Sequence, residues 1–217
     1  MMRAALGIWI LSAVVCVGRS NDHAGQDTAP VLNPGFMKSL ETTLLNAQVT
    51  SANKEFACHL YKKLAAHADS QGKNIFYSPA SVSVALAALS VGARGETHQQ
   101  LFSGLGFNNS LLTQTVVNQA FRSLLERANK TSQEDLSEGT AVFVDYRFKP
   151  RPEFLDVLKQ LYFADGFSVN FTKTTESANT INKYVEEKTN GKIDKLVDGL
   201  DANTVMYLVS YIYYKGT

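Results

Sequence analysis

The sequence predicts an α+β domain, with helices packed on a large mixed sheet, and three observations carry that expectation. Apolar residues at helical spacing recur through most of residues 52–190. Strand candidates are sparse and lie far apart, at 75–77, 140–146 and 205–214. The last of these is apolar or aromatic at nine of ten positions, so it has no wet face and is expected to be a central strand covered on both sides. Helices that cluster early, with isolated strands between and after them, fit neither a bundle nor a sandwich. Much of the sheet is expected to lie outside these residues.

Residues 1–20 have the composition of a secretory signal: Arg3, then an apolar run over 4–17, then Gly18 and Ser20 as small residues at a cleavage site. That run is shorter than the roughly 20 residues that span a bilayer. A soluble, secreted mature chain is therefore expected, with no membrane partner. Residues 21–50 are loosely patterned and are taken as a flexible N-terminal extension, although Phe36, Leu40 and Leu44 form a short stripe. The domain itself is expected over 51–217.

Within it, residues 52–68 form a helix with Phe56, Leu60 and Leu64 on one face, widened by Ala57, Tyr61 and Ala65. Pro79 stops the strand at 75–77. Residues 81–90 are small and apolar nearly all round, which predicts a helix buried on every side. A short helix follows over 97–104. Residues 111–128 place Val116, Val117, Ala120, Phe121, Leu124 and Leu125 on one face. Pro152 suits the first turn of a helix over 152–162 that buries Phe154, Leu158 and Leu161. A helix over 177–190 buries Ile181, Tyr184 and Val185, and Asn190-Gly191 ends it.

Composition narrows the function. A net charge of +1 gives no pull toward nucleic acid or an anionic surface. Cys16 falls in the signal, so Cys58 is left alone, without a disulfide partner, and is expected to be a buried thiol. There is no Gly-x-Ser-x-Gly elbow, metal-ligand spacing or Gly-rich nucleotide loop. His23, His59, His67 and His98 do not cluster in sequence, and His59 and His67 are expected to share a helix face. Neither an enzyme nor a bound metal or cofactor is expected. Sequons stand at Asn108, Asn129 and Asn170, glycan acceptors on exposed loops if the chain is secreted.

The run Asn74-Ile-Phe-Tyr-Ser78-Pro79-Ala-Ser81 is the most specific feature. Ser78 and Ser81 flank a proline in an apolar stretch, where a buried hydroxyl without a partner costs about 1–3 kcal/mol. Ser210, the single polar residue of the last strand, has the same need. That run, Gly92-Ala-Arg-Gly-Glu-Thr-His98 and the segments 139–146, 154–162, 167–171, 180–193 and 201–216 together resemble the serpin family, in particular its secreted antitrypsin-like branch. The resemblance covers nearly all of residues 51–217, through order and spacing rather than one motif.

The resemblance implies that this is the N-terminal half of a serpin fold, incomplete at the C-terminus. The full-length product is then expected to inhibit an extracellular serine protease: an exposed loop is cleaved and inserts as a new strand of the main sheet. The reactive-centre bond and the loop that carries it would lie beyond Thr217, so this fragment alone is not expected to inhibit. The resemblance also implies that Ser78, Pro79 and Ser81 belong to a polar cluster beneath the strands that part. Ser210 stands above it, where the family usually has Asn. The alternative is a non-inhibitory serpin, a hormone carrier or the precursor of a peptide hormone. Heparin is not expected as a partner, because Glu126 interrupts the sparse Arg122, Arg127 and Lys130.

Overall fold

The computed structural model describes residues 34–107, 111–131 and 136–214. Among these, helix α1 (Pro34–Ala66) leads through a single 3-10 turn (Ala68–Ser70) to α2 (Pro79–Gly92), α3 (Gly95–Gly104) and α4 (Gln114–Thr131). Strand β1 (Leu136–Asp145), α5 (Pro152–Leu161), β2 (Asp165–Val169), α6 (Thr174–Lys188) and β3 (Met206–Tyr214) follow. The sheet order is β2-β1-β3. β1 runs parallel to β2, with Ala141 opposite Asp165, and α5 makes the crossover. It runs antiparallel to β3, with Leu136 opposite Tyr214 and Val144 opposite Met206.

The pleat sends alternate residues of β1 and β3 into two different cores. Val142, Val144, Met206 and Leu208 face a helical core that holds Phe102, Phe121, Leu158 and Tyr162. Ala141, Phe143 and Val209 face a second core, closed by Val169, Phe171 and the Ala178, Ile181 and Val185 side of α6. Burying each large side chain contributes roughly 1.5–3 kcal/mol. Phe143 stacks on Phe167 at 4.8 Å and meets Tyr184 edge-on at 5.8 Å, an arrangement worth about 0.5–1.5 kcal/mol per pair beyond area.

Asp145 ends β1 in a buried position. Its carboxylate accepts from Arg147 Nε at 2.7 Å, from the Arg147 backbone N–H at 2.9 Å and from the Phe171 backbone N–H at 3.0 Å. The turn after β1 is thereby tied to the segment after β2. The Arg147 guanidinium first, with both backbone donors, holds this carboxyl down at about 2.

The structure corrects several expectations. α1 begins at Pro34, so residues 34–50 are helical and the expected boundary at 51 falls inside an element. Val49 and Ala52 pack into the helical core beside Leu45 and Phe56, a seam at helical spacing that continues across that boundary. Leu40 and Leu44 of the early stripe are exposed. Residues 75–77 form no strand: no described strand lies beside them to supply a ladder, and Phe76 is 98% exposed. Cys58 is exposed, because it projects off the Val49–Ala52–Phe56 seam. His67 lies past the end of α1 and caps the 3-10 turn, its Nδ1 accepting from the Asp69 N–H at 3.3 Å. α2 buries Ser83, Val84, Ala87, Ala88 and Ser90, but its Leu89 faces out, away from the described elements that cover the rest. β3 does have apolar partners on both faces, yet it is an edge strand among the described residues. β2, read from the sequence only as part of the resemblance, is the third strand. The end of α6 is as expected: Asn190 and Gly191 both take positive φ, and the Gly191 N–H donates to Glu186 O at 2.8 Å. Residues 1–20, expected to be a secretory signal, lie outside the described residues.

Two measurements on the full-length product test this packing. A Cβ added at Gly139 would meet Tyr211 Oη at 2.5 Å and Cζ at 2.8 Å. Gly139→Ala is expected to cost about 1–3 kcal/mol in denaturant unfolding, and most of that cost should vanish in a Tyr211→Ala background. Because the Asp145 carboxyl is held low when folded, its stabilisation is complete above the ordinary carboxylate range and is lost as pH falls toward 2. Asp145→Asn should therefore lower the thermal midpoint at pH 7 and converge on the wild type in strong acid.

Candidate functional site beneath the sheet

The start of α2 is built by its own sequence. Ser78 is extended, at φ −111° and ψ 103°, and Pro79 takes the first helical position, where its missing N–H is no loss. The Ser78 hydroxyl oxygen accepts from the Ser81 backbone N–H at 3.2 Å, so Ser78 is an N-cap. The Ser81 hydroxyl donates to the same oxygen at 3.0 Å. The two serines expected to need buried partners thus satisfy each other in part, and both are half-buried rather than fully buried.

Ser210 reaches the same region from the other side. It sits opposite Thr140 in the β1–β3 register. A cavity of about 220 Å³ beneath these strands is lined by Ser81, Thr140 and Ser210, with Glu138, Tyr162 and Asp165 at its walls. The structure therefore brings Ser81 and Ser210 to one cavity, while Ser78 and Pro79 stand behind Ser81 as its cap and first turn. No hydrogen bond joins Ser210 to the α2 serines.

Two polar networks brace this region. Tyr162 Oη donates to Asn118 Oδ1 at 2.8 Å, which also accepts from Gln114 Nε2 at 2.8 Å. Gln114 Oε1 in turn accepts from Ser90 Oγ at 3.2 Å and lies 2.8 Å from His98 Nε2. Four helices are linked through this chain of side chains. On the far face, Tyr184 Oη donates to Asp165 Oδ2 at 3.0 Å, and Lys188 Nζ lies 3.3 Å from the same oxygen. Burial pushes the Tyr162 and Tyr184 phenols up, and Tyr211 and Asp165 add to the effect at Tyr184. Both rings stay neutral donors. Tyr184 is buried as its helix face predicts, whereas Glu138, Thr140 and Tyr162 are cavity residues that the sequence pattern did not single out. A signal was available: Glu138 and Thr140 share strand parity with Val142 and Val144, so two polar groups point toward the helical core.

Among the sequons, Asn170 lies in the turn between β2 and α6, where its Oδ1 accepts from the Thr172 N–H at 3.1 Å and from the Thr172 hydroxyl at 2.5 Å. Asn129 belongs to helix α4, not to a loop. Asn108 lies outside the described residues. On α4, Arg122 Nε donates to Glu126 Oε1 at 2.8 Å, so that cation is already paired. Among the described residues no three His, Cys, Asp or Glu side chains gather closely enough to hold a metal, and no helix is long and apolar enough to cross a membrane.

A helical layer and a covering helix on opposite faces of a mixed sheet, with polar side chains under an edge strand, define a sheet-centred α+β class of protein. Residues 51–217 match the family model described as serpin (serine protease inhibitor). The chain is 45% identical over 163 residues to alpha-1-antiproteinase of Callosciurus caniceps, covering 75% of this chain and 39% of that protein. It is 42% identical to the hibernation-specific plasma protein HP-55 of Tamias sibiricus, with the same coverage. Among solved structures, human glycosylated kallistatin superposes with a TM-score of 0.72 at 36% identity, over 78% of this chain and 45% of that one. Human thyroxine-binding globulin superposes with a TM-score of 0.70 at 34% identity, over 79% and 46%. The chain belongs to the serpin family. It spans about two-fifths of the length of these curated relatives.

The cap gives a direct test. Ser78→Ala removes the acceptor for both the Ser81 N–H and the Ser81 hydroxyl, and should cost about 0.5–2 kcal/mol of unfolding free energy. Ser78→Asp, which restores an acceptor, should recover part of that loss.

Proposed function

We propose that this chain is the N-terminal part of a secreted serpin whose full-length product inhibits an extracellular serine protease. In that reading an exposed loop is cleaved as a substrate and inserts as a strand beside β3, and the attached protease is distorted. The observation that carries the proposal is the set of small polar side chains beneath β3: Ser81, Thr140 and Ser210 line one cavity there, in a chain that matches the serpin family model over residues 51–217. In this reading Ser78, Pro79 and Ser81 belong to the polar cluster beneath the strands that part, and Ser210 faces it from β3. The antiproteinase relatives support the inhibitory reading.

Residues 1–20 act as the export signal, and Asn108, Asn129 and Asn170 are the glycan acceptors of the secreted product. Heparin is not a partner through α4, where Arg122 is held by Glu126, although one kallistatin structure is a heparin complex. A non-inhibitory carrier is the second reading, and the likeness to thyroxine-binding globulin favours it.

Incubating the full-length product with a panel of trypsin-, chymotrypsin- and elastase-type proteases separates the two. A covalent complex stable in SDS is expected with at least one. Cleavage without complex formation across the panel would sink the inhibitory reading and leave the carrier.

A further inference from the structure

We propose that Glu138 makes the sheet pH-sensitive: its carboxyl lines the cavity beneath β1 and β3 with no partner among the described residues, and taking up a proton there strengthens the β1–β3 region. Glu138 stands on β1 two residues before Thr140, on the face that carries Val142 and Val144 toward the helices. It is half-buried, and it makes no hydrogen bond or ion pair with any described residue.

Among the described residues, the groups that line the same cavity do not supply a counter-charge. α2 brings Ala80, Ser81 and Val84, and α4 brings Leu124 and Leu125, none of them titratable. At the end of α5 is the neutral Tyr162, whose hydroxyl is committed to Asn118. β3 brings Ser210 and Tyr211, and β2 brings Asp165, a second carboxylate. α6 brings Tyr184 and Lys188, and Lys188 is the cavity's one described cation. Its Nζ lies 3.3 Å from Asp165, which also accepts from Tyr184. The ammonium is therefore engaged, and an ionised Glu138 would be the excess negative charge of a partly closed space.

Burial accordingly pushes the Glu138 carboxyl above the ordinary glutamate range. The sign follows from linkage. The folded state holds the proton more tightly than the unfolded chain, so stability falls as pH rises from the ordinary range through the raised value, and the loss is complete above it. Because Ser81 and Ser210 line the same cavity, that loss falls where β3 rests on α2. The proposal is independent of whether the full-length product inhibits a protease.

The test compares thermal unfolding of the full-length product and its Glu138→Gln variant from pH 4 to pH 8. The variant is expected to melt about 2 °C higher at pH 8 and to coincide with the wild type at pH 4. Coincident profiles throughout, or a lower midpoint for the variant at pH 8, overturn the proposal. A carbon-detected NMR titration of the Glu138 carboxyl in the wild-type protein stands even if the variant does not fold. An inflection above the ordinary glutamate range supports the proposal, and one at or below that range overturns it. Neither readout uses a protease, so failure here and failure of the inhibitory reading are separate results.

Discussion

Strand β1 is the constraint on which the rest of the structure depends. It is the one strand with a neighbour on each side, parallel β2 and antiparallel β3. Its residues 141–144 are buried on both faces, and their alternation, matched by that of β3, feeds two separate cores. A shift of one residue in its register would move Phe143 into the helical core and Val142 under α6, and would exchange every contact of both layers. Its last residue is anchored by the Asp145 carboxylate, which holds Arg147 and the Phe171 backbone together. That anchor fixes where β1 stops, and with it the register.

The same alternation explains the cavity. A strand buried on both faces must send all its residues inward, including polar ones. Where β1 and β3 carry Val142, Val144 and Leu208, the space against α2, α4 and α5 is filled. Where they carry Glu138, Gly139, Thr140 and Ser210, it is not, and the cavity opens there. Small polar groups over a small-residue helix make a weakly packed interface that separates at lower cost than an apolar one. Ser81 and Ser210 are the small polar groups that line that interface from α2 and β3.

Much of the architecture was legible in local pattern. The helical period located α4, α5 and α6, and Pro152 and Asn190-Gly191 marked ends that the structure keeps, because φ restrictions act within a few residues. The two-sided apolar character of 205–214 is matched by contacts of β3 with two layers, although β3 is an edge strand rather than a central one among the described residues. The errors share one cause. A strand at 75–77, a buried Cys58 and an all-round buried α2 each depend on which neighbour covers a surface, and apolar character alone names no neighbour. The start of α1 was missed for a related reason. Its seam of Leu45, Val49, Ala52 and Phe56 is narrow, and the exposed Leu40 and Leu44 lie outside it.

The sequence by itself determined the class of fold, the order of its helices, the approximate ends of α4, α5 and α6, and the family. Each of these is set by short-range sterics and periodicity, or by a long ordered match. Only the tertiary structure decided that Ser81 and Ser210 share a cavity, that Glu138 lines it with no partner among the described residues, and that Lys188 is held by Asp165. Those facts depend on α2, β1, β2, α6 and β3 converging from distant parts of the chain. Charge pairing and burial are properties of that convergence, and no local pattern encodes them.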